Sequence, residues 1–165
     1  FREYGLAPDL VSVGKGFPGG EYPAARVLGS PGVDSLGLFG ALVTNGQEEI
    51  ASLAYLVTMA WASANEEPIR RLGDLYSERL QALVDAHPAL LASVEGNRHL
   101  SALRFHDLAA AQRFARTLNE RGFDISAQTY KADCPPVVLT KLPITATEEM
   151  IGFVVGRMAD ALRGQ

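Results

Sequence analysis

At 165 residues with 47% apolar side chains, the chain can bury a core as one ordinary domain or two small units, and its composition is that of a folded protein. A net charge of −4, with acids and bases interspersed, offers no basic face to track phosphates and argues against nucleic-acid binding. No apolar run approaches the roughly 20 residues that span a bilayer and nothing at the start reads as a signal peptide, so the expectation is a soluble cytoplasmic protein with no membrane contact. Cys134, the only cysteine, excludes an intrachain disulfide and a cysteine-rich zinc site, and His87, His99 and His106 share no metal-ligand spacing, so no metal is expected.

In chain order, Leu10, Val11 and Val13 form a short β-type run that enters a glycine-rich turn, with Lys15 held between Gly14 and Gly16. Glycines allow positive φ and close approach of a bulky ligand. A lysine fixed at the end of a buried strand would lose hydration, which favours the neutral, nucleophilic amine; that is the setting of a Schiff-base lysine. The alternative is a solvated loop lysine beside a tight turn. A nucleotide P-loop does not fit, because Gly16 stands where a serine or threonine is required.

Ala24 to Leu28 reads as a brief strand, with Arg26 a strand-edge charge, before the Gly29-Ser30-Pro31-Gly32 turn. The run from Gly37 ends in Thr44-Asn45-Gly46, which places a hydroxyl and an amide before a helix start. Such a composition suits an anion site, although taken alone it reads first as an ordinary helix cap. Apolar residues from Glu48 to Ala64 recur at helical spacing around most of the circumference, predicting a helix buried on more than one side, in which Tyr55 and Trp61 are core or subunit-contact residues. A second helix, roughly Pro68 to Ala86, carries Ile69, Leu72, Leu75, Leu80, Leu83 and Val84 on one stripe.

Beyond His87-Pro88 the pattern becomes a compact α+β unit. Strands are predicted at Ala92 to Glu95 and Leu100 to Phe105 around a Gly96-Asn97 turn, followed by a helix from Leu108 to Arg121 that Asp107 caps and Gly122 ends. Phe123 to Tyr130 and Val137 to Leu142 read as further strands, and Thr147-Glu148-Glu149 opens a closing helix with Ile151, Val154, Val155, Met158 and Leu162 on one face.

The order Asp9-Leu10-Val11, Gly14-Lys15, Gly19-Gly20 and then Tyr22-Pro23, with Glu21 as an extra residue, resembles the second half of the signature of class III, fold type I pyridoxal-phosphate-dependent aminotransferases. The resemblance extends more loosely to the end of the chain. It implies an α/β fold, the carboxy-terminal part of a fold type I transferase: residues 1–66 as a remnant of the large cofactor-binding domain with the lysine loop and a long helix, and residues 67–165 as the small α+β domain. It also implies that Lys15 is catalytic and cofactor-binding, forming the internal aldimine with pyridoxal 5'-phosphate. Thr44 resembles the threonine that reaches the cofactor phosphate of the partner subunit, with Asn45 sharing the task, which implies a homodimer. The spacing departs from the family, since Asn45 alone separates Thr44 from Gly46 and Gln47-Glu48 replaces Asn-Pro.

The aspartate that pairs with the pyridine nitrogen lies upstream of Asp9 in the family, so the resemblance implies that an amino-terminal half is required. The implied activity is transfer of an amino group between an amine or amino acid and a keto acid or aldehyde. Alternatives are aminomutase, racemase or other α-carbon chemistry on the same fold, or a non-catalytic assembly half that is inactive without the amino-terminal portion. The arginine that binds the substrate α-carboxylate in several members corresponds to Leu139 here, with Lys141 nearby, and a lysine does not reproduce the bidentate arginine fork.

Overall fold

The computed structural model describes residues 4–17, 19, 25–33, 35–37, 40, 48–129 and 133–164. The chain divides into two compact units, Phe1–Asn65 and Glu66–Gln165. In the first, strands β1 (Leu10–Val13) and β2 (Arg26–Gly29) form an antiparallel ribbon that pairs Leu10 with Gly29 and Val13 with Arg26. Helix α1 (Glu49–Ala64) follows. Its inward stripe is Ala51, Tyr55 and Thr58, spaced three to four residues apart and therefore on one face; Ala51 and Tyr55 are 1% and 3% exposed.

Among the described residues, the expected burial of α1 on more than one side is not found. Ile50, Leu53, Leu56 and Val57 are about three-fifths exposed, as are Leu10 and Val27 on the ribbon. A two-stranded ribbon is marginal as an independent structure and covers one helix face at most, so the apolar pattern of α1 exceeds what the described residues of its unit bury.

The second unit opens with α2 (Glu66–Ala86), which begins two residues before Pro68. Proline is tolerated in a first turn, where its missing N–H would be unpaired in any case. The strands β3 (Leu91–Asn97), β4 (Leu100–Phe105) and β5 (Val137–Leu139) form an antiparallel sheet in that order, accompanied by α3 (Leu108–Asn119) and α4 (Glu148–Arg163). One core joins all three helices to the sheet, with Tyr76 and Leu80 of α2, Leu103 and Phe105 of β4, Phe114 and Leu118 of α3, and Ile151 and Met158 of α4. The rings of Phe105 and Phe114 meet at 5.3 Å. Each fully buried large side chain contributes about 1.5–3 kcal/mol relative to exposure.

The starts of α3 and α4 match their sequence signals, whereas α1 has Glu48 at its cap position with no side-chain cap bond. The Asp107 carboxylate accepts from the Ala110 N–H at 2.8 Å, and the Thr147 hydroxyl accepts from the Met150 N–H at 3.2 Å, each satisfying a donor that the first turn leaves unpaired. Helix α3 ends at Asn119, earlier than Arg121. The strand expected over Phe123 to Tyr130 reduces to a single bridge between Ala127 and Val138, with Tyr130 itself outside the described residues. The Asn119 side chain takes both backbone groups of Ile125, accepting from its N–H at 3.2 Å and donating to its carbonyl at 3.0 Å, which removes them from a ladder. Similarly β5 stops at Leu139, and the Thr140 carbonyl accepts from the Tyr76 hydroxyl at 2.6 Å. Burial raises the Tyr76 phenol to about 12, well above its ordinary value, so it stays a donor.

The β3–β4 turn also falls two residues later than expected. Gly96 and Asn97 pair with Ser101 and Leu100, and Arg98-His99 make the loop. Gly96 has φ +83°, and a Cβ there would sit 2.2 Å from the Leu100 carbonyl oxygen. The loop is pinned to α2: the Arg98 N–H donates to the Ser77 hydroxyl at 3.1 Å, and the Arg98 Nε donates to Asp74 at 2.6 Å. Gly73 makes this approach possible, since a Cβ at that position would lie 2.7 Å from Arg98 Cβ. Among the described residues, no helix is long and apolar enough to cross a membrane and no group of three or more His, Cys, Asp or Glu is placed to hold a metal ion.

Two outcomes are expected. Gly96→Ala should destabilise the second unit by about 3 kcal/mol or more in urea unfolding, combining backbone strain with a backbone clash, whereas Gly122→Ala, with φ +86° but open space around it, should cost only about 1 kcal/mol. His99 provides a pH dependence. Its Nε2 is buried without a hydrogen-bond partner among the described residues, and burial first, then the Arg98 charge, lower its pKa below the ordinary 6.5. The unfolded chain therefore binds the proton at higher pH than the folded one, and stability is lost as pH falls from about 6.5 through the lower folded value. The difference in urea midpoint between the parent chain and His99→Gln should change between pH 7.5 and pH 5.5, the parent losing more; parallel curves would contradict this.

Candidate active site

The candidate site is built on the bend that follows β1. Within it the Phe17 N–H donates to the Gly14 carbonyl at 3.1 Å and the Gly19 N–H to the Gly16 carbonyl at 3.2 Å. The residue that takes the left-handed conformation at the tip is Lys15 itself, at φ 52°, and not its glycine neighbours; Gly19 follows with φ +81°. That conformation brings Cβ close to the following carbonyl and costs a side-chain-bearing residue roughly 1–2 kcal/mol. Such strain persists only where surrounding contacts hold it, and it concentrates at functional sites.

Those contacts come from α1 and β2. The Tyr55 hydroxyl donates to the Val13 carbonyl at 3.3 Å, immediately before the bend. Its ring stacks on Phe17 at 5.3 Å between centroids, with planes 27° apart, immediately after it. Thr58, one turn further along α1, lies beneath Gly19, whose notional Cβ would be 3.8 Å from the Thr58 hydroxyl oxygen. Arg26, the ladder partner of Val13, extends its guanidinium to the Glu48 carbonyl at 3.2 Å and lies 5.8 Å from the Tyr55 ring centroid. The end of β1, the start of β2 and the start of α1 are thereby tied together next to Lys15.

Among the described residues, the expected dry environment does not enclose Lys15, whose side chain is exposed. The bend sits at the margin of a unit whose other apolar surfaces are also open, so any desolvating wall has to be supplied by residues beyond those described. Thr44 and Asn45 lie outside the described residues. In the second unit, Leu139 and Lys141 line a small open cavity with Tyr76, Phe123, Ile125 and Thr140, and Lys141 is exposed.

Sequence reasoning placed Lys15 at the turn but missed its conformation and the anchoring role of Tyr55 and Arg26. An arginine inside a five-residue apolar strand was a signal that its charge is used locally, and Tyr55 falls one helical turn after Ala51, on the inward stripe. The anchored bend presents the Lys15 amine in an accessible position, and condensation with an aldehyde would further need a setting that removes its hydration.

No family model matches the chain. Among curated proteins, it is 26% identical over 168 residues to a diaminobutyrate–2-oxoglutarate transaminase of Streptomyces coelicolor, covering 99% of this chain and 39% of that protein. It is 24% identical over 167 residues to a putrescine aminotransferase of Pectobacterium atrosepticum, covering 98% of this chain and 35% of that protein. Among solved structures, the acetylornithine aminotransferase of Elizabethkingia anophelis superposes with a TM-score of 0.82 at 20% identity, over 99% of this chain and 43% of the other. The chain thus spans about two-fifths of the length of these proteins. It has the mixed α/β fold of the pyridoxal-phosphate-dependent aminotransferases and is similar in sequence to class III members, matching the carboxy-terminal portion of longer chains.

Proposed function

We propose that this chain is the carboxy-terminal part of a pyridoxal-phosphate-dependent aminotransferase in which Lys15 anchors the cofactor and carries the proton. The observation that carries the reading is the placement of Lys15: an accessible amine at the tip of a strained bend that α1 holds on both sides, in a chain related to transaminases. Residues 1–66 then belong to the cofactor-binding large domain and residues 67–165 to the small domain. The amino-terminal portion supplies the wall that Lys15 lacks here and the acid that faces the cofactor's ring nitrogen. Thr44 and Asn45, before the start of α1, are proposed to bind the phosphate, where helical N–H groups are unpaired and the dipole favours an anion. A homodimer in the cytoplasm completes the proposal.

Within that assembly Lys15 would hold the cofactor through Nζ, the nucleophilic atom of its side chain, and would be freed when a substrate amine binds. The freed Nζ would then serve as the group that takes up and gives back a proton, as general base and then as general acid. Pyridoxal phosphate, when bound, supplies the electron sink that makes that carbon acidic. The bend fixes the Cα–Cβ direction from which the Lys15 side chain starts, because Gly14 and Phe17 close it and Tyr55 holds its flanks. The curated relatives are named for diaminobutyrate and putrescine, which makes the amino group of a short diamino compound the first donor to assay, with 2-oxoglutarate as acceptor.

The exposed apolar face of α1 also favours a second reading, a non-catalytic assembly half whose role is to bury that face against other chain segments. The two are separated by incubation with pyridoxal phosphate, reduction with borohydride and peptide mass spectrometry. The chain has three lysines, Lys15, Lys131 and Lys141. In the chain joined to the amino-terminal portion of the Streptomyces relative, the phosphopyridoxyl group should fall selectively on Lys15, and in the 165-residue chain alone labelling should be weak and unselective. Equal labelling of all three lysines in the completed protein would leave only the assembly reading.

A further inference from the structure

Both flanks of the Lys15 bend converge on one side chain. Val13 lies two residues before Lys15 and offers its carbonyl to the Tyr55 hydroxyl at 3.3 Å; Phe17 lies two residues after it and stacks its ring on the Tyr55 ring at 5.3 Å. We propose that Tyr55 is a positioning residue for Lys15, setting the direction of its amine through the backbone of the bend. The proposal rests on the assignment of Lys15 as the cofactor anchor.

The left-handed region is a narrow well, bordered by conformations that a lysine prefers. With either flank released, Lys15 is free to leave it and its Cα–Cβ bond swings away from its present direction. A tyrosine suits the task because its ring has few torsional freedoms and carries a polar tip, so one rigid group holds two points. The ring is itself held. It is 3% exposed on the inward stripe of α1, and the Arg26 guanidinium, 5.8 Å from its centroid, is bonded to the Glu48 carbonyl at the start of the same helix. Thr58 supports the bend one turn further on, beneath Gly19. Because Tyr55 acts on the aim of Nζ and not on the phosphate, its loss should slow bond formation without changing the concentration of cofactor needed to saturate the site.

Tyr55→Phe keeps the ring and removes only the hydroxyl, and Tyr55→Leu removes both contacts. By hydrogen exchange on the 165-residue chain, the Phe17 and Gly19 amides should exchange about two-fold faster in the Phe variant and about ten-fold faster in the Leu variant. In the completed protein, reductive capture of pyridoxal phosphate at Lys15 should show a limiting rate lowered by about the same two steps, with an unchanged half-saturating concentration and unchanged capture at Lys141. If Tyr55→Leu does not fold by circular dichroism, Tyr55→Phe decides alone. Unchanged amide exchange overturns the proposal. So does an unchanged limiting rate in a protein whose parent captures selectively at Lys15, and in that case the anchor assignment stands. A parent that captures no faster at Lys15 than at Lys141 removes the anchor assignment itself, whatever the exchange data show for Tyr55.

Discussion

The contact of Tyr55 with the two ends of the lysine bend is the constraint on which the first unit depends. A two-stranded ribbon of four-residue strands has little to hold it in place, and a lysine in the left-handed region opposes its own backbone preference. The Tyr55 hydroxyl and ring, with Arg26 bridging from β2 to the start of α1, convert these marginal pieces into one arrangement. Each individual contact is modest, about 1 kcal/mol for a hydrogen bond and a similar amount for a ring pair. Together they are of the size of the strain they oppose.

The two units differ in how far they satisfy themselves. In the second, every helix contributes to a core shared with the sheet, the helix starts of α3 and α4 are capped by their own side chains, and the hairpin loop is fixed to α2 through Arg98. In the first, α1 leaves Ile50, Leu53, Leu56 and Val57 exposed, and the side chain on which the proposed chemistry depends is open to water. A catalytic amine needs a protected setting, and apolar helix faces need covering; both requirements are met if the remainder of a transaminase packs on this unit. The chain is similar to about two-fifths of the length of class III aminotransferases, and the proposed function assigns that surface to the remaining part of such a protein.

Much of the second unit was legible in the sequence because its signals are local. Asp107 and Thr147 announce helix starts, the Leu80, Leu83 and Val84 stripe repeats at helical spacing, and Leu100 to Phe105 is bounded by turn residues. What escaped was decided by long-range competition for backbone groups. The Asn119 side chain captures Ile125 and prevents a strand, the Thr140 carbonyl is claimed by Tyr76 from a helix 64 residues earlier, and the hairpin turn moves because Gly96 is needed inside the ladder. At the candidate site, the motif identified Lys15 but said nothing of its conformation, since flanking glycines suggest that they, and not the lysine, carry the positive φ. The dependence on Tyr55 was hidden for the same reason, as no sequence spacing links positions 13, 17 and 55.

The central claim is that the lysine bend is docked on α1 through Tyr55. Nuclear Overhauser contacts between selectively labelled aromatic rings in the 165-residue chain test it most directly. Ring-to-ring contacts between Phe17 and Tyr55, accompanied by a slowly exchanging Tyr55 hydroxyl, are the predicted result. A Phe17 ring with solvent-averaged shifts and no contact to Tyr55 would contradict the account.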